Sequence, residues 1–132
     1  MATIRRFEDL EAWTKSREFA KEVWKETQKG SFAKDYKLKD QINASAGSAK
    51  DNIAEGFGRG GRAEFVNFLT IAKGSNDEAK SQLYRAFDRE HINEETFNRL
   101  YAIADEAAKT MNGLMEYLNK TEVKGLKWKD RK

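Results

Sequence analysis

Apolar residues recur every three or four positions along most of this chain, and the recurrence is interrupted at only a few places. From about 7 to 28 the inner positions are Ala12/Trp13, Ser16, Phe19/Ala20, Val23/Trp24 and Thr27, a spacing that lines one face of a helix. Lys29-Gly30-Ser31 ends that pattern. From about 34 to 57 a second stripe carries Leu38, Ile42, Ala46, Ala49, Ile53 and Phe57. The third, from about 62 to 89, carries Phe65, Phe68/Leu69, Ala72, Ala79, Leu83 and Ala86/Phe87, with Gly74-Ser75-Asn76 as a weak centre. Asn93 is the expected N-cap of a fourth helix, with Glu94 and Glu95 in its first turn, where carboxylates favour the helix dipole. Its stripe is Phe97, Leu100/Tyr101, Ala104, Ala107/Ala108, Met111, Leu114/Met115 and Leu118.

Short connections between long helices force neighbours to run antiparallel, so the pattern predicts an all-α, up-down-up-down four-helix bundle. Sustained strand alternation is absent from the sequence. The 132 residues suit one domain over 1–123, followed by a basic tail at 124–132. The chain has no proline, which permits long uninterrupted helices. It also has no cysteine, which removes disulfides, thiolate chemistry and cysteine-ligated metals together and fits a reducing compartment. No run approaches the roughly 18 apolar residues of a membrane span, and the first residues lack the apolar stretch of a signal peptide. A cytoplasmic protein is expected.

Charge is abundant but nearly balanced, with 25 cations against 22 acids. Its distribution is uneven. Lys124, Lys127, Lys129, Arg131 and Lys132 face only Asp130 in the tail, a local excess of +4, which leaves −1 for residues 1–123. In the tail these cations alternate with Leu126 and Trp128. Cations neutralise phosphates and an indole stacks on an unpaired base, so this segment reads as a nucleic-acid arm. It also reads as a frayed, soluble terminus whose Trp128 docks on the bundle.

Beside the apolar stripes run two polar ones: Gln41, Ser45, Ser48, Asn52, Glu55 and Arg59 on the second helix, and Ser75, Glu78, Gln82 and Arg85 on the third. They are either solvated faces or interlocking contacts that fix register between helices or subunits. Small side chains from Ala44 to Ala49 admit a close neighbour, and apolar bulk off the main stripes at Trp24, Val66, Ile71, Tyr84 and Tyr117 points to a second buried surface. Self-association is its expected use, with Gln41, Asn52, Glu55, Gly56, Gly74 and Gln82 as interface or structural positions. Gly74 is expected to mark a close helix crossing.

The glycine cluster that joins the second and third helices matches G-x-G-x-x-G from Gly56 to Gly61. That motif binds dinucleotides only after a strand in a βαβ unit, and here a helix precedes it. What remains is an elbow with Arg59 and Arg62, either a helix cap and turn or a weak phosphate site. His91 is the only histidine, expected as a surface or capping residue in the turn 89–93. One histidine cannot build a diiron bundle, and catalytic triads fail for the same shortage of bases. No enzyme activity, cofactor or metal is expected.

Phe7-Glu-Asp-Leu10 with Trp13, Leu38-x-x-Gln41-Ile42, Asn52-Ile-Ala-Glu-Gly56 with Arg59, and Glu64-Phe-x-x-Phe-Leu-x-Ile-Ala-x-Gly-Ser75 followed by Gln82-Leu83 resemble the 23S rRNA intervening-sequence protein family. The similarity runs in order over about 6–119. The family commonly has Phe-Pro before the second helix and a proline ahead of Asn-Ile-Ala-Glu-Gly, where this chain has Phe32-Ala33 and Ala49-Lys50-Asp51. The resemblance implies a small bacterial cytoplasmic protein whose relatives form homopentamers with a central channel. A similar fold serves diversity-generating retroelements as a basic accessory protein that engages nucleic acid and a reverse transcriptase. Two function classes follow. One is a homo-oligomer binding RNA or DNA through Arg59, Arg62, Lys124, Lys127, Trp128, Lys129, Arg131 and Lys132; the other is a scaffold that docks a partner protein, such as a reverse transcriptase.

Overall fold

The computed structural model describes residues 3–120, and the tail lies outside them. Four long helices account for most of the described residues: α1 (Glu11–Thr27), α2 (Tyr36–Arg59), α3 (Arg62–Asp88) and α4 (Glu94–Lys120). No strand occurs among the described residues. The expected first helix is split, because Leu10 is extended with ψ 125°, leaving Phe7–Asp9 as a separate 3₁₀ turn before α1. Phe32–Lys34 forms another 3₁₀ turn, and α2 passes Lys50 without a break. Each long helix packs on two others, α1 on α2 and α4, and α3 on α2 and α4.

The caps follow local chemistry. Asn93 Oδ1 accepts the Thr96 amide at 2.8 Å, the N-cap expected for α4. Only two residues separate α2 from α3, and Gly60 takes φ 84°, a left-handed conformation that side chains disfavour.

Buried apolar residues form two clusters. One gathers Leu10, Ile53, Phe57, Phe65, Leu69, Met111 and Leu118, and the other Phe19, Val23, Phe32, Leu38, Ile42, Leu83 and Leu100. Along α1 and α3, the fully buried polar residues Ser16 and Asn76 sit between positions of the first cluster and positions of the second. Asn76 Nδ2 donates to the Ala104 carbonyl at 3.0 Å, tying α3 to α4. Gly74-Ser75-Asn76 is therefore no weak point. The helix runs through it, and Asn76 makes the inter-helix contact.

Gly74 does not mark a close crossing within the chain, because a Cβ built there meets nothing within 4 Å. The close approach is at Gly56, where a Cβ would lie 2.6 Å from Phe68 Cβ and 3.1 Å from Phe65 Cδ1. Phe68 Cβ is fixed to the α3 backbone and cannot swing aside. Gly56→Ala should therefore lower unfolding free energy by about 1–3 kcal/mol through overpacking. Gly74→Ala, in open space within a helix, should raise it by up to about 1 kcal/mol through helix propensity. Urea unfolding of both variants checks the pair, and the opposite ordering would refute this assignment.

Candidate functional site

The polar stripes of α2 and α3 meet as a seam. Arg85 Nη1 donates to Gln41 Oε1 at 2.8 Å, Ser48 and Ser75 hydroxyls pair at 3.1 Å, and Ser45 and Gln82 are buried. The Gln41–Arg85 and Ser48–Ser75 pairs thus join one helix to the other within the chain, while Ser45 Oγ donates to the Gln41 carbonyl of its own helix. Asn52 and Glu55 stay local. Asn52 Nδ2 donates to the Ser48 carbonyl and hydroxyl, and Glu55 pairs with Arg59 at 2.9 Å.

Both elbow arginines have structural partners. The Arg59 guanidinium also lies 5.1 Å over the Phe68 ring, and Arg62 Nη1 donates to the Leu118 carbonyl near the end of α4 at 2.9 Å. The turn brings the two side chains to one end of the bundle and then directs each onto its own contact. The other proposed nucleic-acid contacts, Lys124, Lys127, Trp128, Lys129, Arg131 and Lys132, lie outside the described residues.

At the opposite end of α2 sits a cluster that periodicity does not reveal. Asp35 Oδ2 receives Arg89 Nη1 and His91 Nε2, both at 2.8 Å, and His91 Nδ1 lies 2.8 Å from Ser31 Oγ. The imidazole stacks on the fully buried Phe32 at 5.2 Å between centroids. His91 is thus a half-buried tie between two loops. The hydrogen bond from His91, then that from Arg89, holds the Asp35 carboxyl down at about 2. An ionised Asp35 accepts only, so Nε2 carries the ring proton, and in the neutral ring Nδ1 accepts from the Ser31 hydroxyl.

Ser31, His91 and Asp35 thus form a nucleophile-base-acid chain of the kind that the sequence seemed to exclude. Arg89 draws on the same Asp35 oxygen, so the chain works as a clasp between the α1–α2 and α3–α4 loops. The Asp35 side of the clasp was legible, since an aspartate three residues ahead of Leu38 is an N-cap signal, and Asp35 Oδ1 accepts the Leu38 amide at 3.4 Å. Its partners, 54 and 56 residues away, were not.

Other charged groups brace the helices. Arg99 on α4 reaches Glu22 and Glu26 on α1, both at 2.9 Å, and hydrogen bonds from Lys25 and then Arg99 lower the Glu22 carboxyl below its ordinary range. Lys80 on α3 meets Asp105 on α4 at 2.6 Å, which raises the ammonium above the usual lysine range, and lies 4.7 Å over the Tyr101 ring. Beside it an aromatic band reaches the surface. Tyr84 packs on Phe97 and Tyr101 at 4.8 and 5.8 Å, and Phe87 on Phe97 at 5.4 Å, while Tyr84 remains 50% and Phe87 37% exposed. Phe87 was expected on the inner face; it lies at the edge of the band instead.

Comparison with known proteins agrees with this architecture. The family model described as 23S rRNA-intervening sequence protein matches residues 8–113. The chain belongs to this family. A solved structure from Bacteroides thetaiotaomicron, described as a protein with unknown function from the S23 ribosomal protein family, is 26% identical with a TM-score of 0.72, over 80% of this chain and 98% of that one. No curated protein matches. Among the described residues, no helix is long and apolar enough to cross a membrane.

The clasp has a pH signature. Because the folded carboxyl of Asp35 lies below its ordinary 3.8, its contribution to stability is complete above that value and is lost as pH falls through about 2. Asp35→Asn should be less stable than the parent near neutral pH and lose less on acidification across that window. Urea unfolding at a series of acid pH values checks this, and parallel pH curves for the two chains would contradict it.

Proposed function

We propose that this family member is a non-enzymatic, self-assembling helical scaffold whose assembled surface binds nucleic acid, RNA foremost. The observation that carries the first half is the aromatic band along α3 and α4, where Tyr84 and Phe87 stay exposed beside Phe97 and Tyr101. Aromatic rings clustered at a surface are a usual mark of an interface, and a second copy of the chain is the simplest cover. Exposed Trp24 and Ile71 add apolar surface beyond the band. Contacts such as Gln41 with Arg85 and Arg99 with Glu26 join the start of one helix to the end of its neighbour, which supports the up-down-up-down order. Five copies is the number that the family resemblance implies.

The second half rests on charge. Arg59 pairs with Glu55 at the surface and Arg62 holds the Leu118 carbonyl, so the phosphate-neutralising charge of the assembly comes chiefly from the cations at 124–132. Assembly multiplies those cations and turns a weak arm into a basic surface.

Sedimentation velocity on nuclease-treated protein should give a mass several times that of one chain. Tyr84→Glu combined with Phe87→Glu should reduce it to one chain while helical circular dichroism persists. A parent chain that sediments as a monomer would end the assembly reading. Binding to single-stranded RNA should weaken linearly in log affinity against log salt, at about 0.7 per neutralised phosphate, and should drop sharply when 124–132 are removed. Affinity unaffected by both salt and truncation would reject the nucleic-acid half and leave protein docking as the use of the scaffold.

A further inference from the structure

The end of the bundle that holds the elbow also carries a cleft of about 510 Å³, lined by Leu10, Phe57, Phe65, Leu114, Tyr117 and Leu118 among others. That size lies in the roughly 300–1,000 Å³ range of pockets that take a bulky organic group. Its floor is apolar, and its edge is acidic. Among the described residues, Asp9, Glu11 and Glu106 line it against one cation, Lys109. The Asp9 carboxylate already accepts the Arg5 and Arg6 amides, which leaves the exposed Glu11 and Glu106 to meet an arriving positive charge.

An occupant must therefore combine large apolar side chains with cations. The twelve residues after Lys120 have that composition, with Leu126 and Trp128 set among Lys124, Lys127, Lys129, Arg131 and Lys132. They also start in the right place. Tyr117 and Leu118, in the last turn of α4 before those residues, are themselves part of the cleft wall. Trp128 lies eight positions beyond Lys120, a reach of up to about 27 Å when extended, which is ample to turn back onto the adjoining wall.

We infer that this cleft is the seat of the chain's own C-terminal segment, with Trp128 and Leu126 on the apolar floor and the neighbouring cations facing Glu11 and Glu106. The tether makes the encounter intramolecular, at an effective concentration on the order of millimolar, so modest contacts suffice. The seating goes beyond the proposed function and does not require it. It gives the acidic edge a partner whether or not RNA binds, and it sets an indole seated in the cleft against an indole stacked on a base.

The test uses the full chain with p-benzoylphenylalanine in place of Trp128, irradiated and then digested for mass spectrometry. The expected result is a cross-linked product that migrates as one chain on a denaturing gel, with the attachment mapped to residues 4–12, to 109–118, or to Phe57 or Phe65. Glu11→Lys together with Glu106→Lys should lower the yield about threefold or more, the scale of two exposed ion pairs. The same photoreactive residue in place of Leu126 gives an independent reading should the first disturb the seat. Attachment elsewhere on the chain, attachment only between chains, no protein cross-link from either position, or a yield indifferent to the charge reversal would overturn the inference.

Discussion

The close approach of α2 and α3 at Gly56 is the constraint on which the rest of the structure depends. With no Cβ at Gly56, Phe68 Cβ on α3 comes to a place that a side chain at Gly56 would meet at 2.6 Å. Three residues earlier in α3 and one later in α2, Phe65 and Phe57 meet edge to face at 6.0 Å. The left-handed Gly60 closes the hairpin directly beyond. From this anchored end, the polar pairs Ser48 with Ser75 and then Gln41 with Arg85 follow one another away from the turn. A shift of register by one residue would unmake all of them together, so the seam converts one steric fit into an alignment along the whole hairpin.

That alignment delivers Asp35 and Arg89 to each other at the far end, where His91 and Ser31 complete the clasp. The clasp joins the α1–α2 and α3–α4 loops by charge, and Arg99 bridges α4 to Glu22 and Glu26 on α1. Between the two apolar clusters, Asn76 fixes α3 against α4 through the Ala104 carbonyl. Asn76 Oδ1 and Ser16 Oγ have no partner among the described residues. A buried oxygen left so costs about 1–3 kcal/mol, which offsets what the Asn76 bond to the Ala104 carbonyl contributes.

Function follows from what the packing leaves over. The seam pairs Gln41 with Arg85 and Ser48 with Ser75, and the elbow arginines meet Glu55 and the Leu118 carbonyl. The aromatic band on α3 and α4 and the acid-edged cleft beside the elbow remain. One is suited to a further copy of the chain and the other to a basic apolar segment. The two surfaces lie on different parts of the bundle and compete for no residue named in either.

Periodicity and punctuation by themselves determined the four helices, the cap at Asn93 and the two-glycine turn, because these depend on the 3.6-residue repeat and on backbone rules within a few positions. Family membership was legible too, in short ordered motifs such as Asn52 to Gly56 and Glu64 to Ser75. Which glycine carries a close contact was not. Gly56 and Gly74 look alike along the chain, and only the partner helix separates a contact at 2.6 Å from open space. The same holds for His91, whose role comes from loops 60 and 56 residues away, and for Arg59 and Arg62, which the sequence shows only as charge. Local spacing decides what a segment becomes, whereas a side chain's task is set by groups brought to it through the fold, and no window along the sequence contains them.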